Sequence, residues 1–203
     1  MNAKETPAPP EPSLRERKKQ RTLATIRREA FRLFAAQGYE GTTVEQIAAA
    51  AEVSPSTFFR YFPTKEDVVL DDDYDSALAD ALRARPPGEP VLDSLRIALT
   101  DSLGRLMEAD RDELLLRTRL GFTDPALRAR SWDEFIRSQD SVAEVIAERT
   151  GRPADDLDVR CTAAALMAVA TAVGRHWVEH DGEVDLVPLY DRQFALLSAG
   201  LRL

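Results

Sequence analysis

The 203 residues include one cysteine, nine glycines and two histidines. A lone Cys161 rules out an internal disulfide and is compatible with a reducing compartment. The glycines form neither a glycine-rich phosphate loop nor a nucleophile elbow, and no Cys–His arrangement surrounds Cys161. The amino-terminus carries prolines and acids but no apolar signal core. The longest apolar run, 161–174, is too short to span a bilayer and contains two threonines. These absences argue against an enzyme, a cofactor and a membrane protein, and point to a soluble cytoplasmic chain. His176 and His180 stand one helical turn apart, a spacing used in some zinc sites, with Glu179 as a conceivable third ligand. The glutamate that directly follows the first histidine in zinc-protease helices is missing, and the reading is no metal.

What the chain does have is helical periodicity almost throughout, with alanine, leucine and arginine in abundance. The expected fold is all-α with about nine helices. Three form a small amino-terminal bundle, one connects, and five build a body. Residues 1–13 are proline-rich and read as a disordered tail. A helix over 14–37 carries Leu23, Ile26, Ala30, Leu33 and Phe34 inward and ends at Gly38. A connector helix is expected over 65–84, after an amino-terminal unit of 14–64. Helices over 91–109, 111–121, 131–150, 155–180 and 186–201 complete a second unit of 65–203. An acidic cluster, Asp71, Asp72, Asp73 and Asp75, lacks the spacing and glycine turn of a calcium loop and reads as a solvated face.

The informative stretch is 43–65. Val44, Ile47, Ala48 and Ala51 form one apolar stripe, and a turn follows at Glu52 and Val53. Ser54 then caps a second helix that has Pro55 in its first turn and Phe58 and Phe62 facing inward. Either Thr42 or Thr43 caps the first helix, with Glu45 or Gln46 completing a capping box. This is a helix-turn-helix, whose second helix is shaped for the DNA major groove. The formal charge of −8 does not contradict this. Residues 1–65 carry a net of +4 and residues 66–203 a net of −12, so only one end suits a polyanion. Arg15, Arg17, Lys18, Lys19 and Arg21 crowd the start of the first helix. Beside a helix-turn-helix they read as phosphate-attracting rather than as an ordinary solvated end.

The series Gly38-Tyr39-Glu40-Gly41-Thr42-Thr43-Val44, Ile47-Ala48 and Val53-Ser54-Pro55-Ser56-Thr57-Phe58-Phe59-Arg60-Tyr61-Phe62-Pro63-Thr64-Lys65-Glu66 resembles the TetR family of one-component repressors. The match spans roughly residues 20–70. The rest resembles the family in helix layout only, in which the last two helices form a four-helix bundle across a two-fold axis. The resemblance implies a homodimer on palindromic operator DNA, released by a small molecule in the carboxy-terminal domain. The alternative is a DNA-binding regulator without such a ligand, partner-controlled or activating.

DNA contacts are then expected from Ser54, Ser56, Thr57, Arg60 and Tyr61, with Arg60 matching guanine or a phosphate. Thr42, Thr43 and Lys65 are expected on phosphates, with Arg17, Lys18, Lys19 and Arg21 adding salt-dependent attraction. Phe59 departs from the family's usual tyrosine and cannot make that tyrosine's phosphate hydrogen bond. The Phe-Phe-Arg-Tyr-Phe-Pro-Thr-Lys version resembles a branch that includes regulators of mycofactocin gene clusters responding to acyl-CoA thioesters, so a hydrophobic or acyl-CoA ligand is implied. Pocket candidates are Leu116, Phe122, Trp132, Phe135, Met167 and Trp177, with Arg117, Arg119 and Arg175 for an anionic group.

Overall fold

The computed structural model describes residues 13–70 and 74–200, except for the side chains of 74–77 and 131. All regular structure among these residues is helical: α1 (Leu14–Gln37), α2 (Val44–Ala50), α3 (Pro55–Tyr61), α4 (Lys65–Leu70), α5 (Tyr74–Arg83), α6 (Val91–Thr123), α7 (Pro125–Thr150), α8 (Leu157–Glu179) and α9 (Leu186–Ser198). They divide into two compact units, with the boundary after Lys65.

Capping chemistry sets the helix ends. Ser13, expected in the tail, is the N-cap of α1, its hydroxyl accepting from the Glu16 amide. Thr43 and Gln46 form the capping box of α2. At the turn Glu52 adopts a left-handed φ of 55°, while the Val53 amide donates to Ala48 O and the Glu52 amide to Ala49 O. That pair of hydrogen bonds is a Schellman ending, here without the usual glycine. The same ending closes α8, with Asp181 at φ 52° and the Gly182 amide donating to Trp177 O.

The core of the first unit is Ile26, Ala30, Phe31, Phe34, Tyr39, Ile47, Ala48, Phe58 and Phe62, all buried. Phe31 belongs to it although the expected stripe omitted it, while Leu23 and Leu33 are only half-buried. Aromatic rings pair along the core, Phe31 on Phe34 at 5.7 Å, Phe34 on Tyr39 at 5.1 Å and Phe58 on Phe62 at 5.9 Å. Such pairs add to plain area burial.

The second unit has one large cluster, with Leu82, Leu95, Leu99, Ile146, Val159, Leu166 and Phe194 among its members. A smaller cluster around Leu103, Val173, Trp177 and Leu186 adjoins the α8–α9 corner. Along α8 the residues Val159, Ala163, Leu166, Val173 and Trp177 are buried, a seam repeating every three or four positions. Ala168 and Ala172, on the other side, are exposed. By length and composition α8 could cross a membrane. The central helix of a bundle meets the same condition, and its seam is packed on α6, α7 and α9.

The connector expected over 65–84 is helical over Lys65–Leu70 (α4) and Tyr74–Arg83 (α5); Asp71–73 lie outside the described residues, as does the side chain of Asp75. α6 and α7 depart from the expected bounds. α6 runs through 91–123, but Asp110 is non-helical (φ −162°, ψ 90°) at the position where two helices were expected to meet. Its carboxylate accepts from the Glu113 amide and so caps the second half. α7 begins six residues early because Asp124 caps it through the Ala126 and Leu127 amides, with Pro125 in its first turn. That Asp-Pro pair starts a helix as well as ending one.

Candidate nucleic-acid interface and body cavity

α3 is positioned by what it buries. Phe58 and Phe62 are wholly enclosed, so Ser56, Phe59 and Arg60 face outward. Ser54 Oγ accepts from the Thr57 amide at 3.1 Å and shares hydrogen bonds with the Ser56 and Thr57 hydroxyls, each at 2.9 Å. The three hydroxyls expected at the groove are thus tied to one another. Arg60 is exposed, its guanidinium 5.0 Å from the Tyr61 ring centroid. Arg15, Lys18 and Lys19 of α1 line one concavity together with Arg60 and Tyr61, so the structure joins two stretches that sequence spacing keeps apart. Arg17 and Arg21 are exposed on α1 but do not line it.

Thr42 and Lys65 are both engaged in the turn between α1 and α2. Thr42 is 1% exposed; its hydroxyl donates to Gly38 O at 2.8 Å and accepts from Gln37 Nε2 at 3.3 Å. That hydroxyl is committed inside the turn. Gly41 permits this tight turn, since a Cβ there would stand 2.7 Å from Gln37 O. Lys65 Nζ donates to Tyr39 O at 2.8 Å and Thr42 O at 3.1 Å and lies 4.0 Å from the Tyr39 ring centroid. It clamps the α1–α2 turn. Thr43 is exposed, but its hydroxyl and amide are engaged in the capping box.

The body holds a cavity of about 270 Å³ walled by Val69 and Leu70 of α4, Leu103, Leu114 and Arg117 of α6, and Trp177, Leu186 and Tyr190 of α8 and α9. Arg117 Nε donates to Val69 O at 2.8 Å. Tyr190 donates to Ala170 O at 3.0 Å, and burial pushes its phenol up to about 12, so it stays a neutral donor. Trp177 Nε1 donates to Gly182 O at 3.1 Å, which fixes the indole as a wall.

Of the expected pocket residues, Arg117 and Trp177 line this cavity. Trp132 does not: it is 65% exposed and stacks on Phe135 at 5.8 Å. Leu116, Phe122, Phe135 and Met167 are half-buried but outside the lining. Arg119 pairs with Asp181 and Arg175 with Glu179, both at 2.9 Å on the surface. The lining residues that were missed, Val69, Leu70 and Tyr190 among them, come from helices whose apolar positions read as ordinary core. His176 and His180 have ring centroids 4.0 Å apart, and His180 Nδ1 lies 2.8 Å from His176 O. Among the described residues no group of three or more His, Cys, Asp or Glu is placed to hold a metal ion.

Residues 26–71 match the model of bacterial regulatory proteins of the tetR family, and residues 89–202 match the MftR C-terminal domain. The HTH-type transcriptional regulator TcmR of Streptomyces glaucescens is 40% identical over 174 residues, covering 82% of this chain and 77% of that protein. A protein of Mycobacterium tuberculosis assigned as the mycofactocin biosynthesis transcriptional regulator MftR is 29% identical, covering 85% and 87%. The crystal structure of Thermus thermophilus FadR, a TetR-family repressor in complex with lauroyl-CoA, superposes with a TM-score of 0.60 at 26% identity, covering 89% of this chain and 95% of that one. With an amino-terminal helix-turn-helix, a helical body and both family models matched in order, the chain belongs to the TetR family of DNA-binding transcriptional regulators.

Proposed function

We propose that the chain is a homodimeric, ligand-responsive repressor acting in the cytoplasm, which leaves a palindromic operator when an apolar acyl ligand enters the body cavity. The observation that carries this reading is the cavity wall contributed by Val69 and Leu70. These residues belong to α4, whose first residue, Lys65, clamps the α1–α2 turn. A ligand that displaces α4 favours one arrangement of the reading helix over another, as a two-state regulator requires. The lining is apolar apart from Arg117, Thr118 and Tyr190, which suits an acyl chain with one carbonyl or anionic group near the guanidinium. A volume of about 270 Å³ accommodates an acyl chain and not a whole coenzyme A thioester. The lauroyl-CoA bound by Thermus thermophilus FadR supports acyl thioesters as the first class to test.

Groove contacts come from Arg60, with Ser56, Thr57 and Tyr61 beside it and Arg15, Lys18 and Lys19 on phosphates. Dimerisation uses the outer faces of α8 and α9. There a shallow apolar depression is lined by Val169, Ala172, Val173 and Leu189, and the small exposed residues Ala168 and Ala172 allow close helix approach.

The test is operator binding by fluorescence anisotropy with lauroyl-CoA, free coenzyme A or laurate added. Lauroyl-CoA should weaken binding by about tenfold or more, the effect of roughly 1.4 kcal/mol of differential affinity, and coenzyme A alone should not. Gly121→Leu should abolish the response while keeping DNA affinity, because a Cβ at this cavity-lining glycine meets nothing within 4 Å and the added side chain fills the space. Unchanged operator affinity with every acyl compound would favour the partner-controlled alternative.

A further inference from the structure

We propose that Phe59 is a specificity-determining residue that reads the 5-methyl group of a thymine in the major groove. The inference rests on α3 being the DNA-reading helix and names what one of its side chains recognises.

Three phenylalanines lie within five positions, and only the middle one avoids the core. Phe58 and Phe62 are completely buried, while Phe59 is 49% exposed. Its ring meets that of Phe58 edge-on, with centroids 5.6 Å apart and planes at 88°. An enclosed neighbour therefore supports the exposed ring from beneath. On the outward face it stands between Ser56 and Arg60, one turn after the first and adjacent to the second.

The chemistry of that face selects the occupant. The hydroxyls of Ser56 and Thr57 each bond to that of Ser54, which partly engages the polar groups on the first turn of α3. Arg60 supplies the one cation of the helix. A phenyl ring neither donates nor accepts a conventional hydrogen bond, so phosphate is not its partner. Among base edges in the major groove, the thymine methyl is the feature recognised by apolar contact, and phenylalanine is among the side chains that make it. Covering that methyl removes apolar surface of both partners from water. Cytosine in the same place lacks the methyl and presents an amino donor that a phenyl ring cannot satisfy.

The probe is a duplex selected from a randomised library by the full-length wild-type chain. Uracil then replaces thymine at each position in turn, which removes the methyl and keeps base pairing. At one position in each half-site the exchange should weaken wild-type binding about three- to tenfold, the scale of one buried methyl group. Phe59→Ala should bind the thymine duplex more weakly and bind the thymine and uracil duplexes equally. Phe59→Leu, still apolar, should recover part of the discrimination. Circular dichroism of these surface variants establishes that they are folded. Wild-type indifference to every exchange, or undiminished discrimination by Phe59→Ala, overturns the proposal. If that happens with a duplex whose binding is lost on Arg60→Ala, α3 remains the reading helix and only the role of Phe59 falls. If no duplex is enriched, the DNA-reading role of α3 falls and the proposal with it.

Discussion

At the residue scale, Lys65 shows how a surface-looking cation becomes structural. Its ammonium holds two carbonyls of the turn that carries Tyr39 and Thr42, with the Tyr39 ring alongside. A cation donating to backbone carbonyls at a half-buried site contributes about 1–2 kcal/mol. Lys65→Met, which keeps the aliphatic stem, should lower the stability of the amino-terminal unit by that amount in urea unfolding. Each lysine on a phosphate contributes about 0.9 to the slope of log affinity against log salt. The slope for operator binding should therefore stay the same in Lys65→Met; a drop of about 0.9 would return Lys65 to the DNA. Thr42 is a similar case, since its hydroxyl is used up inside the turn.

At the element scale, α7 is fastened to the loop before α6 by one arginine. Arg149, in the last turn of α7, donates to Leu82 O and Arg85 O at 3.2 Å, Pro86 O at 2.8 Å and Ser94 Oγ at 2.9 Å. Ser94 in turn donates to Glu89 Oε2 at 2.6 Å, and Arg85 forks onto the same carboxylate. The Arg85 and Ser94 hydrogen bonds hold the Glu89 carboxyl at about 2, well below its ordinary 4.5. A carboxyl depressed by folding stabilises the fold above about pH 4.5, and that contribution is lost as pH falls toward 2. Glu89→Gln should therefore lower the urea midpoint at pH 7 and narrow its gap to wild type between pH 4.5 and 2. An equal gap at both pH values would mean that the charge of Glu89 contributes nothing. The loop rich in proline, residues 85–90, is thus held by polar bonds where it has little apolar surface to bury.

At the scale of the whole molecule, charge and apolar surface are segregated. The net of +4 in residues 1–65 against −12 in 66–203 confines polyanion attraction to the helix-turn-helix. The second unit buries one seam of α8 and leaves Ala168 and Ala172 exposed on the other, which suits a second copy. Two reading helices one DNA turn apart bind far more tightly than one, since the second contact is intramolecular. Ala172→Arg places a long cation in the depression beside Leu189. It should convert a dimer to monomer in sedimentation equilibrium and weaken operator binding on the order of a hundredfold, while helical content stays the same. A variant that remains dimeric would place the interface elsewhere.

By itself the sequence determined the helical class, the family and the helix-turn-helix, because each is written in local signals. These are apolar spacing of three and four, Ser54 before Pro55, a threonine at 42 or 43 three residues before Glu45 or Gln46, and Gly38 after a helix. Charge segregation was legible too, because counting needs no geometry. Only the tertiary structure decided what the polar groups do. Lys65 finds its partners 23 and 26 residues away, and no local pattern separates a lysine on a phosphate from one on a carbonyl. The cavity is likewise non-local, since its walls come from α4, α6, α8 and α9 and each contributes side chains that read as ordinary core. Trp132 looked like a pocket wall because aromatics usually are buried, yet α7 turns it outward. A helix face is set by the sequence, but which faces meet depends on how the helices pack.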